Sequence, residues 1–183
     1  WTLALPKARC DLEMAASNEI IEIALEVKPD KVTLVPERRE EITTEGGLDI
    51  IAYEKKISQA IERLKSAGIK VSLFVNPLKK QIQAAKKVDA DIVELHTGKY
   101  ADAKSSSLRR KELGKLKEAA SFAQSIGLTV AAGHGLDYFN TASVVKIREI
   151  EELNIGYSII CRAVFVGLFN AVSQMRKLID EAL

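Results

Sequence analysis

The strongest constraint on the fold is one recurring pattern: a short apolar run, a turn and then an amphipathic stretch. The apolar runs have the length of buried strands, and the amphipathic stretches have helical spacing. A strand followed by a crossover helix predicts a parallel sheet covered by helices. The predicted strands cover residues 9–15, 31–35, 69–75, 90–98, 128–135 and 153–160. The first predicted helix follows Ser17. The other predicted helices cover residues near 50–66, 77–88, 108–125, 140–149 and 163–182.

The repeat length of about 30 residues favours an α/β fold of the (β/α)8 TIM-barrel type. A doubly wound open sheet is the competing architecture, but neither GxGxxG nor a P-loop follows any predicted strand. About six β-α units are present, two fewer than a closed barrel needs. We therefore expect residues 1–183 to form a single barrel domain that contains strands 3–8 and lacks the first two units.

Composition excludes several classes of partner. The net charge is only +2 and 28% of the residues are charged, so nothing demands a nucleic acid or a membrane surface. No window of about 20 apolar residues could span a bilayer. Cys10 and Cys161 are far apart and form no CxxC motif, which favours a cytoplasmic, reduced protein with cysteines as small core residues.

Two carboxylates interrupt apolar strands, Glu13 in DLEMA and Glu94 in IVELH. Catalytic groups of parallel α/β folds lie at the carboxyl ends of the strands. Burying a carboxylate is costly unless it is paired or functional, and burial raises its pKa toward neutrality. The pair therefore suits proton transfer. A salt bridge to a flanking helix is the alternative for Glu13.

The sequence VAAGHGL ends a predicted strand with His134 between Gly133 and Gly135. An imidazole titrates near neutral pH, which suits giving and taking protons. The glycines allow the backbone to approach a ligand closely. A buried structural histidine is the alternative. A metal site formed by Glu94, His96 and His134 is conceivable, but no HxH or HExxH spacing supports it, and no metal is expected.

Glycines also mark a predicted phosphate site. Gly135 and Gly156 follow the last two predicted strands, which become strands 7 and 8 if two units are absent in front. Barrel enzymes often bind phosphate with the loops after those strands and a helix N-terminus. The long polar loop 36–47 is also expected to be functional.

Several strings together resemble the pyridoxine 5′-phosphate synthase family. They are DLEMA, LVPERREEITTEGGLDI, ELHTGKYADA, AAGHGLDY and ELNIGYSIICRAVFVGL, and they extend over nearly the whole chain in order. The resemblance implies a (β/α)8 barrel that condenses 1-deoxy-D-xylulose 5-phosphate with 3-amino-2-oxopropyl phosphate. The products are pyridoxine 5′-phosphate, phosphate and water. The family needs no metal or organic cofactor and forms octamers.

The resemblance also implies roles for individual residues. It makes Glu13 a general base, Glu94 a stabiliser of the charged transition state, and His134 a proton donor. The substrate-binding residues that it implies are Thr43 for the deoxyxylulose phosphate, and Gly135, Gly156 and Tyr157 for the aminoketone phosphate.

The chain departs from the family pattern in three places. Tyr157 replaces the usual His, Cys161 replaces an expected Gly, and the opening strands with an Asp, a catalytic His and phosphate-binding Arg residues are absent. The alternative function is a truncated, non-catalytic phosphate-binding relative that needs a partner chain. A Schiff-base aldolase or an isomerase is disfavoured because no strand ends in lysine, and Lys99 is in a loop.

Overall fold

The structure is a computed structural model that describes residues 8–36 and 46–183. Its six strands pair in parallel and in chain order, from β1 at one edge of the sheet to β6 at the other. This arrangement confirms the predicted TIM-barrel type of α/β fold. The strands are β1 Asp11–Met14, β2 Lys31–Leu34, β3 Lys70–Val75, β4 Ile92–His96, β5 Thr129–Gly133 and β6 Glu152–Asn154.

Helices alternate with the strands and cover the outer face of the sheet. Val32, Leu73 and Leu95 point outward from neighbouring strands and are completely buried in the core. The longest helix, α5, begins where the Ser105 side chain accepts a hydrogen bond from the backbone N–H of Leu108. The helices are α1 Asn18–Val27, α2 Glu54–Ser66, α3 Lys79–Lys87, α4 Gly98–Ala101, α5 Ser106–Ser125, α6 Thr141–Val145, α7 Tyr157–Val166 and α8 Leu168–Ala182.

The opposite face of the sheet curls around a polar interior. Successive side chains of a strand alternate between the two faces, and the parallel register places His96, Gly133 and Asn154 side by side on β4, β5 and β6. The curvature is strong enough for Lys31 on β2 to form an ion pair with Glu152 on β6. Polar side chains from distant strands therefore meet inside the sheet.

The last strand and the last helix differ from the prediction. The strand predicted over 153–160 is wrong beyond Asn154, because Gly156 caps a new helix that begins at Tyr157. The single helix predicted over 163–182 is two helices, separated at Gly167, whose φ of +79° favours glycine. Half of the apolar run that suggested a strand, residues 157–160, belongs to α7.

A large apolar surface is exposed on the last two helices. Phe165 and Phe169 are 84% and 83% exposed, and α7 buries none of its side chains. Exposed apolar surface of this kind is typical of sites that contact a protein, a membrane or a ligand. The other exposed apolar side chains there are Tyr157, Ile160, Val164, Leu168 and Val172.

Candidate active site

The carboxyl ends of the strands surround one open cavity of about 1240 Å³. This end of the barrel, which we call the mouth, is where parallel α/β enzymes place their active sites. Six of the seven residues singled out by the sequence line the cavity, and Thr43 lies outside the described residues. The six are Glu13, Glu94, His134, Gly135, Gly156 and Tyr157.

Glu94 is the most perturbed ionisable group of the site. Its side chain is buried, and burial raises its pKa to about 7, as the sequence predicted. A hydrogen bond from the Asn154 amide to Oε2, 2.7 Å long, opposes this rise. The negative charges of Glu13 and Asp11 add to it. A carboxyl with this pKa is present in both protonation states near neutral pH and can give or accept a proton.

Gly133 has a reason for being glycine that sequence reasoning missed. A Cβ atom built at this position overlaps Oε1 of Glu94. The carboxyl of Glu94 thus occupies the space that a side chain on β5 would take. The prediction assigned this space to a ligand, whereas the structure fills it with the acid.

Glu13 lies on β1, and its predicted burial is wrong because this strand is an edge of the described sheet. The side chain is exposed and lines the cavity. Its register partner on β2 is Thr33. Glu13 is therefore accessible to a ligand in the mouth, and its charge still acts on Glu94.

His134 follows β5 with a backbone φ of +79°, in the left-handed region that non-glycine residues seldom adopt. The Thr97 hydroxyl donates a hydrogen bond to the His134 carbonyl oxygen over 2.5 Å, and it also donates to the Gly133 carbonyl oxygen. The ring is exposed to the cavity. Strained backbone that is held by such bonds is typical of functional positions.

His96 stacks on His134, with ring centroids 4.7 Å apart and an interplanar angle of 25°. Its Nδ1 accepts a hydrogen bond from the backbone N–H of Gly98 over 3.1 Å. A Cβ atom at Gly46 would lie 3.0 Å from Nε2, so the turn after residues 37–45 approaches this ring closely. Within residues 8–36 and 46–183 no group of three or more His, Cys, Asp or Glu side chains could hold a metal ion.

The N-terminus of α7 faces the same cavity through Gly156 and Tyr157. The Ser158 hydroxyl donates to the Leu136 carbonyl oxygen over 2.8 Å, which ties this helix to the loop that follows β5. Gly135 is in that loop. Backbone N–H groups at a helix N-terminus attract anions, so this wall of the cavity is chemically suited to phosphate.

Two further residues of α7 line the cavity. Cys161 is exposed, as is Cys10, so the prediction that the cysteines are core residues is wrong. Arg162 also lines the cavity and donates a hydrogen bond from Nε to Gln174. Both follow Tyr157 on α7, a helix whose first residues the sequence assigned to the strand 153–160 and whose last residues it assigned to the helix 163–182.

A second polar group lies at the amino ends of the strands, and we call it the base cluster: Asp11, Lys31, Thr33 and Glu152. The Lys31 ammonium lies 3.0 Å from Asp11 and also pairs with Glu152. Burial lowers the pKa of Lys31, but the hydrogen bonds to Glu152 and Asp11 outweigh it and hold that pKa above its usual value. The Thr33 hydroxyl donates to Asp11 over 3.0 Å. Sequence analysis missed this cluster.

Comparison with known proteins identifies relatives over nearly the whole chain. A family model with the description "Pyridoxal phosphate biosynthesis protein PdxJ" matches residues 3–181. The pyridoxine 5′-phosphate synthase of Legionella pneumophila strain Corby is 50% identical over 96% of this chain and 71% of its own length. The enzyme of that name from Thermodesulfovibrio yellowstonii is 49% identical over 94% of this chain and 71% of its own length. The one from Synechococcus sp. is 54% identical over 93% of this chain and 72% of its own length.

Solved structures at low sequence identity support the fold alone. One described as "Native KDPGal structure" has a TM-score of 0.61 at 13% identity and covers 96% of this chain and 72% of its own. The Amycolatopsis orientalis BexX/CysO complex has a TM-score of 0.59 at 12% identity, over 88% and 59%. In the described part of the chain, no helix has the length and hydrophobicity needed to cross a membrane.

Proposed function

Because the chain belongs to the family of pyridoxal phosphate biosynthesis protein PdxJ, we propose that it is a pyridoxine 5′-phosphate synthase. Its substrates are 1-deoxy-D-xylulose 5-phosphate and 3-amino-2-oxopropyl phosphate. One observation carries the chemistry: Glu94, with a pKa raised to about 7, shares a cavity with Glu13 and His134. Three acid–base groups around one space suit a condensation that forms a ring and loses water and phosphate.

We propose for these residues the roles that the family resemblance implies, and their exposure is compatible with those roles. Glu13 is exposed to the cavity and acts as the general base that removes substrate protons. His134, also exposed there, protonates the leaving group. Glu94 is buried behind them. In its ionised form, the Glu94 carboxylate stabilises positive charge that develops on the substrate. The reaction as proposed uses no metal or organic cofactor.

Phosphate binding is assigned to the α7 side of the mouth. Gly135, Gly156 and Tyr157 line the cavity, and the α7 N-terminus supplies backbone N–H donors to the phosphate of the aminoketone. The Tyr157 hydroxyl supplies a further donor. Thr43, which lies outside the described residues, is proposed to bind the deoxyxylulose phosphate.

The test is a condensation assay on protein expressed from its complete reading frame. Both phosphorylated substrates are supplied, and pyridoxine 5′-phosphate is detected by mass spectrometry. His134→Asn and Glu13→Gln are each expected to reduce kcat by about 10²–10⁴-fold. Binding of 1-deoxy-D-xylulose 5-phosphate, measured by calorimetry, should change little. Glu19→Gln on α1 is the matched control and should keep full turnover.

Two results would contradict the proposal. An unmutated protein that binds the phosphates and makes no pyridoxine 5′-phosphate supports the alternative, a non-catalytic phosphate-binding relative that needs a partner chain. Normal turnover in His134→Asn removes the proton-donor role from that residue.

The location and assembly of the protein are also proposals. The free, exposed cysteines suit the reducing cytoplasm, and the apolar surface of α7 and α8 suits coverage by another protein segment. We propose a single barrel domain that assembles as an octamer in the cytoplasm, as the family resemblance implies. Light scattering at several concentrations measures the assembly, and a monomer throughout would contradict it.

A further inference from the structure

We propose that Asn154 is a positioning residue that holds the carboxyl of Glu94 in the mouth from two strands away. The inference deepens the proposed function, because Glu94 is one of the groups assigned to that reaction. It stands on the geometry of three neighbouring strands.

The side chain of Glu94 crosses a whole strand to reach its partner. Glu94 is on β4 and Asn154 is on β6, 60 residues later, with β5 between them. The Asn154 amide donates to Oε2 over 2.7 Å. Oε1 occupies the space above Gly133, where any Cβ would overlap it. The Asn154 amide thus binds one oxygen of the carboxyl, and the missing side chain of Gly133 leaves room for the other oxygen.

The choice of an amide determines what Glu94 can do. An Asn side chain donates to a carboxylate through its NH₂ group and accepts from a carboxylic acid through its oxygen, so it serves both protonation states. A lysine at this position would fix Glu94 as the anion, and an aspartate would oppose ionisation. Within residues 8–36 and 46–183 Glu94 forms no ion pair, so the amide is the principal polar restraint on its orientation.

Other charged groups face Glu94 and set the background for any titration. On β1 the charges of Asp11 and Glu13 disfavour its ionised form, and Lys31 on β2 favours it. The remaining titratable groups around it are Glu152 on β6, His96 on β4 and His134 after β5. None of these is changed by a substitution at residue 154.

The test follows the Glu94 carboxyl directly by ¹³C NMR in glutamate-labelled protein, with Glu94→Gln used to assign the signal. Asn154→Leu keeps the approximate volume and removes the donor, so the Glu94 midpoint should rise by about one pH unit. Asn154→Asp keeps the shape, adds a like charge and should also raise it. Asn170→Leu removes an amide on α8 that donates to the Val166 carbonyl oxygen at the end of α7, and it should leave the midpoint unchanged.

An unchanged midpoint in both Asn154 variants, with their amide spectra showing a native fold, would overturn the proposal. In the condensation assay, the limb of the kcat/KM profile that reports Glu94 should move with the NMR midpoint. If the NMR shift occurs in a protein that makes no pyridoxine 5′-phosphate, the proposed function fails and the positioning role stands.

Gly133→Ala tests the other side of the carboxyl. The added methyl displaces Oε1, so turnover should fall by at least about tenfold, because a displaced catalytic group loses its alignment. The matched control is Gly114→Ala on the exposed side of α5, where an added Cβ meets no atom within 4 Å. Equal turnover in the two variants would contradict the assigned path of Glu94.

Discussion

At the base of the barrel interior a buried lysine meets two carboxylates, whereas at the mouth a buried carboxyl meets one neutral amide. Lys31 therefore remains charged, and its pKa lies above the usual value. Glu94 has no ion-pair partner among the described residues, and burial raises its pKa to about 7 although the Asn154 hydrogen bond and the Lys31 charge oppose the rise. Burial alone therefore does not make a group that exchanges protons near neutral pH. The number of opposite charges beside the buried group distinguishes Lys31 from Glu94.

The largest effect is expected in the pH dependence of stability at Glu94. Well below pH 4.5 this group is protonated in folded and unfolded chains alike. As the pH rises to about 7 the unfolded chain ionises while the folded protein keeps the proton, so stability falls. The shift from 4.5 to about 7 corresponds to about 3 kcal/mol.

Glu94→Gln removes that titration and leaves the other groups in place. The free energy of unfolding, measured in urea from pH 4.5 to 7.5, should therefore rise in the variant relative to the original protein by about 3 kcal/mol over this range. A constant difference between the two proteins would show that Glu94 is ionised normally. The buried group at the mouth would then be charged at neutral pH, like Lys31 in the base cluster.

A smaller effect is expected from breaking the base cluster. Lys31→Met leaves Asp11 and Glu152 facing each other without a cation. Loss of one partner of a fully buried pair costs several kcal/mol, and partial exposure of the two carboxylates reduces the expected loss to about 2 kcal/mol. Urea unfolding measures it. Because Lys31 also lowers the pKa of Glu94, that pKa should rise further in the variant.

Lys65 provides the matched control for this prediction. It also pairs with two carboxylates, Asp89 and Asp91, but at the surface. Lys65→Met is expected to cost less than about 1 kcal/mol, because exposed ion pairs contribute little. Equal losses at residues 31 and 65 would mean that the interior position of Lys31 has no energetic consequence.

The smallest effect is expected at the exposed rim of the mouth. Tyr157 is 87% exposed, so its hydroxyl competes with water for any phosphate it contacts. Tyr157→His should change KM for 3-amino-2-oxopropyl phosphate by only about two- to fivefold. The change in kcat should also be no larger than about fivefold. A change of 100-fold would make this residue part of the chemistry rather than of the rim.

The sequence predicted the parallel α/β class and six of the residues that line the cavity, because both depend on local patterns. Strand ends locate Glu13, Glu94 and His134 without knowledge of contacts. It missed Asn154 as the partner of Glu94 and Glu152 as a partner of Lys31, because those contacts join positions 60 and 121 residues apart. Hydrophobic periodicity reports which face a side chain takes, but it carries no information on how strongly a sheet curls.

The break between β6 and α7 was missed for a local reason. Gly156 lies inside an apolar run that suits a strand, and one glycine in such a run does not reveal whether the chain continues or turns into a helix. The helix shows itself in the structure through its exposed face, which no core periodicity marks. Predictions from pattern are weakest where an apolar surface is not buried within the chain.

The empty position at Gly133 has a consequence for anyone who would move this acid into another protein. Grafting a glutamate onto one strand of a new barrel would not reproduce its behaviour. The arrangement needs three residues on three adjacent strands. They are the acid at position 94, a glycine without a side chain at position 133, and the amide at position 154. A transfer of this acid to another barrel therefore has to include all three residues, although they are spread over a third of the chain.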